Sequence, residues 1–192
     1  MNQIVDEKIK LKAQAIKLLV LDVDGVLTDG TLVYGPDGEH VKHFNVKDGV
    51  GIKLLQAFDV AVAIISAKDS QPLTRRIEHL SIKHAYTGCK DKLLALTQLT
   101  TKLSIKFDEV AYCGDDVIDL KVMQKVGLSL APADAYSMVQ DYADVVTLAK
   151  GGKGVAREVA DLILGSRMDL KQAYIKAMLP EFEEHKVLKV KS

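Results

Sequence analysis

Three stretches of this chain are apolar without interruption: Leu18–Leu21, Val60–Ile65 and Val110–Cys113. None alternates polar with apolar residues, the pattern expected of strands covered on both faces, as in a parallel sheet. The pattern predicts strands over Lys17–Asp22, Val60–Ile65 and Glu109–Cys113, with shorter ones at His84–Tyr86, Gly127–Leu130 and Asp144–Thr147. Between them apolar residues recur at helical spacing. Ile52, Leu55 and Phe58 mark a helix over Gly49–Phe58, and Leu93, Leu96 and Leu99 one over Asp91–Leu103. Ser70–Leu80, where Pro72 suits a first turn, Val117–Lys125 and Gly154–Leu164 read as further helices. Strands alternating with helices at this spacing predict an α/β fold, a Rossmann-like open parallel sheet with helices on both faces. One segment breaks the alternation. Thr31–Tyr34 and His40–Asn45 flank Gly35-Pro36-Asp37-Gly38 and read as a β-hairpin that protrudes from the sheet or extends it.

The chain shows no repeat, no low-complexity linker and no shift of composition. The expectation is one domain over residues 1–192, with a charged N-terminal arm (1–15) and a C-terminal helix and basic tail (166–192). At 192 residues it is long enough for one α/β domain with a full core. The net charge is zero, so there is no electrostatic footprint for nucleic acid. No apolar stretch is long enough to span a bilayer, and the charged first residues lack a signal-peptide core. The expected location is the cytoplasm, without a nucleic-acid or membrane partner. Cys89 and Cys113 have the spacing of neither a zinc site nor a disulfide framework, and Cys113 reads as a small core residue.

Against this frame the strand ends stand out. The first strand ends in Asp22-Val-Asp24-Gly25, and carboxylates beside an apolar run are costly unless compensated. Alternate residues of an extended chain point the same way, so the two carboxylates converge on a cation or a shared proton, or else form a solvated turn, since Asp-Gly is also turn chemistry. The second strand ends at Ser66, the third leads to Lys92, and the fourth ends at Gly114-Asp115-Asp116. Each has a plain reading alone: a strand-ending serine, a solvated lysine, a helix cap. Lys90 and Lys92 fall near the first turn of a helix, where the macrodipole disfavours cations. In open α/β sheets ligands bind beyond the carboxyl ends of the strands, where all four segments terminate.

This ordered set resembles the haloacid dehalogenase-like phosphatase superfamily. Asp22-Val-Asp24-Gly25-Val26 matches its first motif, Ser66 its second, Lys92 its third, and Gly114-Asp115-Asp116 with Asp119 its fourth. The resemblance is closer still to its 3-deoxy-D-manno-octulosonate 8-phosphate (KDO 8-phosphate) phosphatase family. It is carried by Leu21–Gly30, Phe44–Ile52, Ala111–Asp116 and Gly151–Gly154 leading to Arg157-Glu158, within Lys17–Leu164. Two positions depart from that family's pattern. Ala67-Lys68 stands where Gly-Arg is usual, and Lys47 where Arg is usual; lysine keeps the charge but loses the planar bidentate fork.

The resemblance implies a magnesium-dependent phosphatase of lipopolysaccharide inner-core synthesis. Asp22 would be the nucleophile and form an aspartyl-phosphate, and Asp24 the general acid and then base. Ser66 and Lys92 would hold the phosphoryl oxygens. Asp22, the Asp24 backbone carbonyl and Asp115 would bind Mg2+, with Asp116 and Asp119 in support. Lys47 and Lys68 are candidates for the substrate's carboxylate or hydroxyls; Arg75 and Arg76 read as a solvated helix face. The spacing from Asp22 to Ser66 and from Ser66 to Lys92 leaves no room for a cap domain, so the site is capless. Members of the resembling family close it by forming tetramers, and residues Thr31–Asn45 are expected to serve that contact. Other readings are a phosphatase of a different sugar acid, such as a nonulosonate 9-phosphate, a phosphomutase, a receiver-like phosphoacceptor and an inactive scaffold. Phosphomutase relatives carry an inserted cap that this chain lacks, and a receiver needs an aspartate where Ser66 stands.

Overall fold

The computed structural model describes residues 6–36 and 38–178. Six strands form one parallel sheet: β1 (Leu18–Leu21), β4 (Ala61–Ile65), β5 (His84–Tyr86), β6 (Val110–Cys113), β7 (Leu128–Ala131) and β8 (Val145–Val146). Their order is β5-β4-β1-β6-β7-β8. The chain leaves β1 toward one edge and returns past it to build the other, so β1 lies at the switch point where α/β sheets open a crevice. β2 (Val33–Gly35) and β3 (Gly38–Val41) form the separate antiparallel hairpin.

The unbroken apolar runs are explained by two cores, one on each face of the sheet. Leu19 and Leu21 of β1 and Val62 and Ile64 of β4 face one, with α1 (Glu7–Ala15), α2 (Val46–Ala57), α3 (Gln71–His79), α7 (Val155–Gly165) and α8 (Leu170–Met178). Leu18, Val20, Ala63 and Ile65 face the other, with α4 (Lys92–Leu103), α5 (Leu120–Met123) and α6 (Ser137–Tyr142). Gly51 lets α2 approach α7: a Cβ there would lie 2.7 Å from the Arg157 Cα. Asp48 ties the same two helices, its buried carboxylate accepting from the Ala156 and Arg157 amides at the start of α7, at 2.8 and 3.3 Å. Burial raises its pKa to about 6, partly offset by those amides.

Several expected boundaries move. α2 begins at Val46 and not Gly49, because the Asn45 side chain caps the Lys47 amide at 2.9 Å; apolar spacing alone does not register a polar cap. Gly35 and Gly38 pair within the hairpin, so its strands reach into the expected four-residue turn. The helix expected over Val117–Lys125 is a 3₁₀ turn (Val117–Asp119) followed by the short α5. Asp119 turns its carboxylate back to the Asp115 and Asp116 amides, which tightens that first turn. α6 has no counterpart in the sequence reading; Val139 is its one buried side chain, too little to set a period. Arg76 is not on a solvated face. Its guanidinium donates to the Asn45 carbonyl at 3.0 Å and lies 5.5 Å from the Phe44 ring centre. The C-terminal tail beyond Met178 and the first five residues of the arm lie outside the described residues.

Candidate active site

The parallel register carries the strand ends to one place. Leu21 pairs with Ile64 of β4 and Cys113 of β6, so Asp22, Ser66 and Gly114 emerge side by side. Asp22 continues the ladder by donating its amide to the Cys113 carbonyl at 3.0 Å. Lys92 reaches the same point from the first turn of α4, which Asp91 caps through the Leu94 amide at 3.0 Å.

The resulting network is dense and dry. Lys92 Nζ donates to Asp22 Oδ2 at 2.6 Å and to Asp119 Oδ1 at 2.7 Å. Asp22 Oδ1 accepts from the Val23 amide at 2.7 Å. Asp119, fully buried, also accepts from the Tyr112 hydroxyl at 2.6 Å and from the Asp115 and Asp116 amides at 3.1 and 3.3 Å. Both of its oxygens are therefore committed: Oδ1 to Lys92 and Tyr112, and Oδ2 to the loop after β6. The two oxygens of Asp115 accept no hydrogen bond among the described residues. Asp22, Asp115 and Asp119 each offer a carboxylate oxygen within 4.8 Å of the others. Burial is the largest cause that lifts Asp22 to about 6, with Lys92 opposing and Asp119 adding to it. Burial, followed by the charges of Asp22 and Asp119, lifts Asp115 to about 7. For Lys92, burial works to lower the pKa, but the two carboxylates outweigh it and raise it. One ammonium against three carboxylates leaves excess negative charge, and the hard oxygen donor set fits a divalent magnesium ion.

Asp24 sits on the turn that follows β1. Gly25 takes φ +81°, and a Cβ there would lie 2.0 Å from Asp115 Oδ2, so only glycine lets this turn pass so close to the acidic pair. The turn is braced by the 151–154 loop, whose Gly152 amide donates to the Val26 carbonyl at 2.9 Å. The Asp24 carboxylate accepts from Lys42 Nζ and, at 3.4 Å, from the Thr28 hydroxyl. Lys42 is buried at the foot of the hairpin and lies 2.6 Å from Glu39.

Asp22, Asp24, Gly25, Ser66, Lys68, Asp115 and Asp116 line a cavity of about 250 Å³. Ser66 is buried, and its hydroxyl accepts from the Lys68 amide at 3.2 Å. Asp119 and Lys92 do not line this cavity; Lys92 bonds both Asp22 and Asp119. Lys68 is exposed at the mouth; Lys47 is exposed on the first turn of α2, beside Gly154, and does not line this cavity. Arg75 is exposed on α3. Sequence reasoning did not single out Lys42 or Tyr112. A lysine in a polar hairpin and a tyrosine in an apolar strand carry no local signal of what they touch.

Comparison with known proteins decides the family. A family model of haloacid dehalogenase-like hydrolases matches residues 85–159. A 3-deoxy-D-manno-octulosonate 8-phosphate phosphatase of Escherichia coli strain B is 46% identical over 169 residues, covering 88% of this chain and 90% of the relative. The chain belongs to the KDO 8-phosphate phosphatase family of haloacid dehalogenase-like hydrolases. A solved structure of the Moraxella catarrhalis phosphatase of this family, in complex with magnesium, phosphate and KDO, is 36% identical, with a TM-score of 0.84 over 93% of this chain and 99% of that one. The cobalt-bound phosphatase from Haemophilus influenzae is 41% identical, with a TM-score of 0.82 over 85% and 99%. The family's fold, a parallel sheet flanked by helices with a separate hairpin, is the one described above.

Proposed function

We propose that this chain hydrolyses KDO 8-phosphate to KDO and inorganic phosphate in lipopolysaccharide inner-core biosynthesis, as a magnesium-dependent phosphomonoesterase. The observation that carries the reading is the convergence of Asp22, Asp24, Ser66 and Asp115 on one cavity, with Lys92 bonded to Asp22. The 46% identity to the Escherichia coli phosphatase supports the substrate.

Asp22 is the nucleophile. Its carboxylate forms a bond to phosphorus as the bond from phosphorus to the sugar oxygen breaks. Asp24 gives its proton to that oxygen. It then takes one from the water that attacks phosphorus, and the Asp22 carboxylate is released. Lys92, donating to Asp22, keeps the nucleophile ionised. The Ser66 hydroxyl donates to a phosphoryl oxygen. The Asp22 and Asp115 carboxylates and the Asp24 carbonyl would hold Mg2+, with Asp116 and Asp119 supporting it. When bound, the ion neutralises charge on the transferring group. Lys68, at the cavity mouth, is the candidate for the sugar acid's carboxylate; Lys47 would serve only from outside this cavity.

Among the described residues no cap lies over the cavity, and open water is poor surroundings for phosphoryl transfer. The hairpin and its approach expose Leu32, Val33, Tyr34 and Val41, an apolar strip rather than the polar surface a solvated hairpin carries. This strip supports a homotetramer in which hairpins pack together and neighbours roof the sites. Sedimentation of the wild type is expected to give a tetramer, and Tyr34→Asp a smaller species with raised KM; a fully active monomer overturns this. Among the described residues no helix is long and apolar enough to cross a membrane. A single-domain cytoplasmic enzyme acting on a small molecule, without nucleic-acid or membrane partner, is the reading that agrees with this and with the neutral net charge.

One observation favours a second substrate. Lys68 lines the mouth, and lysine binds a carboxylate as a point charge rather than through a fork, which suits a nonulosonate 9-phosphate as well. Phosphate release is the test, over a panel containing KDO 8-phosphate and a nonulosonate 9-phosphate, with magnesium and with chelator. KDO 8-phosphate is expected to show the highest kcat/KM, and only with magnesium. Preference for the nine-carbon acid would shift the substrate; no turnover of any sugar-acid phosphate would favour a receiver-like or inactive protein.

A further inference from the structure

The lysine at the foot of the hairpin has no part in the chemistry assigned so far. Lys42 lies just after β3, far in sequence from the strand ends, yet its side chain is only 1% exposed. Burying an ammonium is unfavourable unless it is paired and hydrogen-bonded. Here it is paired twice, to Asp24 Oδ1 and to Glu39, whose side chain is 8% exposed. Asp24 Oδ2 has no hydrogen-bond partner among the described residues. Lys42 and Thr28 thus anchor Asp24 through Oδ1, while Oδ2 is buried without a partner, in a residue that lines the cavity.

We infer that Lys42 is the positioning residue of the general acid. It fixes the Asp24 carboxylate in the orientation that meets the leaving sugar oxygen and then the attacking water. The inference rests on the reading of Asp24 as general acid and base. Lys42 touches neither substrate nor phosphorus. The proton moves between Asp24 and the oxygen that leaves or enters, while Lys42 keeps its own. Glu39 holds the ammonium from the other side, so the hairpin foot, and not the sheet, sets the acid's orientation. The counterpart Lys92 is held by Asp22 and Asp119 and does not bond Asp24.

The test uses a substrate that does not need the acid. KDO 8-phosphate leaves as a sugar alkoxide and requires protonation; 4-nitrophenyl phosphate leaves as a stable phenolate and does not. In the magnesium-loaded full-length enzyme, Lys42→Met is expected to lower kcat on KDO 8-phosphate by roughly 10²-fold, the scale of a misplaced catalytic group, with KM little changed. On 4-nitrophenyl phosphate the first step is expected to stay fast and the second to slow, seen as a burst of nitrophenolate equal to the enzyme present. Lys42→Gln, run in parallel, keeps one N–H donor and is expected to recover part of the loss. The ratio between the two substrates does not depend on how much of a variant is folded. A fall equal on both substrates, without a burst, would make Lys42 merely structural and overturn the inference, as would wild-type kinetics. Asp24→Asn in the same assay separates the two levels. If it too lacks the burst and the selectivity, the assignment of Asp24 fails; if it shows both and the Lys42 variants do not, only the role of Lys42 fails.

Discussion

Asp22 and Asp24 are two residues apart, and each carboxylate is held by a buried lysine, yet the two lysines belong to different parts of the molecule. Lys92 comes from α4, which packs on the sheet, and it is shared with Asp119, itself fixed by Tyr112 and two backbone amides. Lys42 comes from the hairpin, outside the sheet, and it is shared with Glu39 three residues before it. The first pair rests on the core of the domain. The second rests on an appendage whose strands expose apolar side chains. A rigid carboxylate suits in-line attack on phosphorus, whereas a proton donor must serve a leaving oxygen in one step and a water in the next. On the proposed reading, the nucleophile and the general acid are therefore held by different parts of the fold.

Substitutions at the two aspartates sharpen this contrast most. Asp22→Asn is expected to lower turnover by about 10⁴-fold or more, with unchanged circular dichroism and no phosphoenzyme; residual phosphatase activity near the wild-type level would rule it out as nucleophile. Asp24→Asn is expected to lower kcat on the sugar phosphate by about 10²–10⁴-fold, and to let acid-stable phosphate label accumulate on Asp22 when quenched. Equal losses without label would dissolve the distinction between the two residues.

Magnesium probes the sheet-side pair, while pH also titrates Asp48, which burial raises to about 6. Asp22 and Asp115 are raised to about 6 and about 7, above the ordinary aspartate value of 3.8. Between about pH 4 and 7 the metal-free native chain thus binds more protons than the unfolded one, and its stability falls as pH rises through that window. Magnesium relieves the repulsion only when the carboxylates are ionised. Its rise in Tm, followed by differential scanning fluorimetry, is expected to be larger at pH 8 than at pH 5, and to vanish in Asp115→Asn. A shift that is the same at both values would place the ion elsewhere. The smallest effect is expected at Thr28→Val, which loses a long hydrogen bond to Asp24 and about 1 kcal/mol of stability, read as a Tm change with kcat nearly unaltered.

The core and the strand-end carboxylates were legible because the signals are local: an apolar run predicts a buried strand, and the residue that ends it marks the sheet's edge. Asp22, Ser66 and Asp115 needed only that rule to be placed together. Asp119 was legible as a supporting residue, though its hold on Lys92 and Tyr112 was not. Lys42, Glu39, Arg76 and Asp48 were invisible for a shared reason. Each acquires its role from a partner distant in sequence or from a turn that brings two polar groups under cover, and no periodicity encodes such a partner. The same limit explains Lys47, adjacent to the site in sequence but directed by α2 toward Gly154.

The pocket's modest size carries a last consequence. About 250 Å³ lies below the roughly 300–1,000 Å³ that usually encloses an organic ligand. On the proposed reading this cavity takes the phosphate head, and the carbon skeleton lies outside it. Discrimination among phosphate esters then falls to whatever surface meets that protruding skeleton, so selectivity and catalysis in this molecule can be mutated, and can evolve, separately.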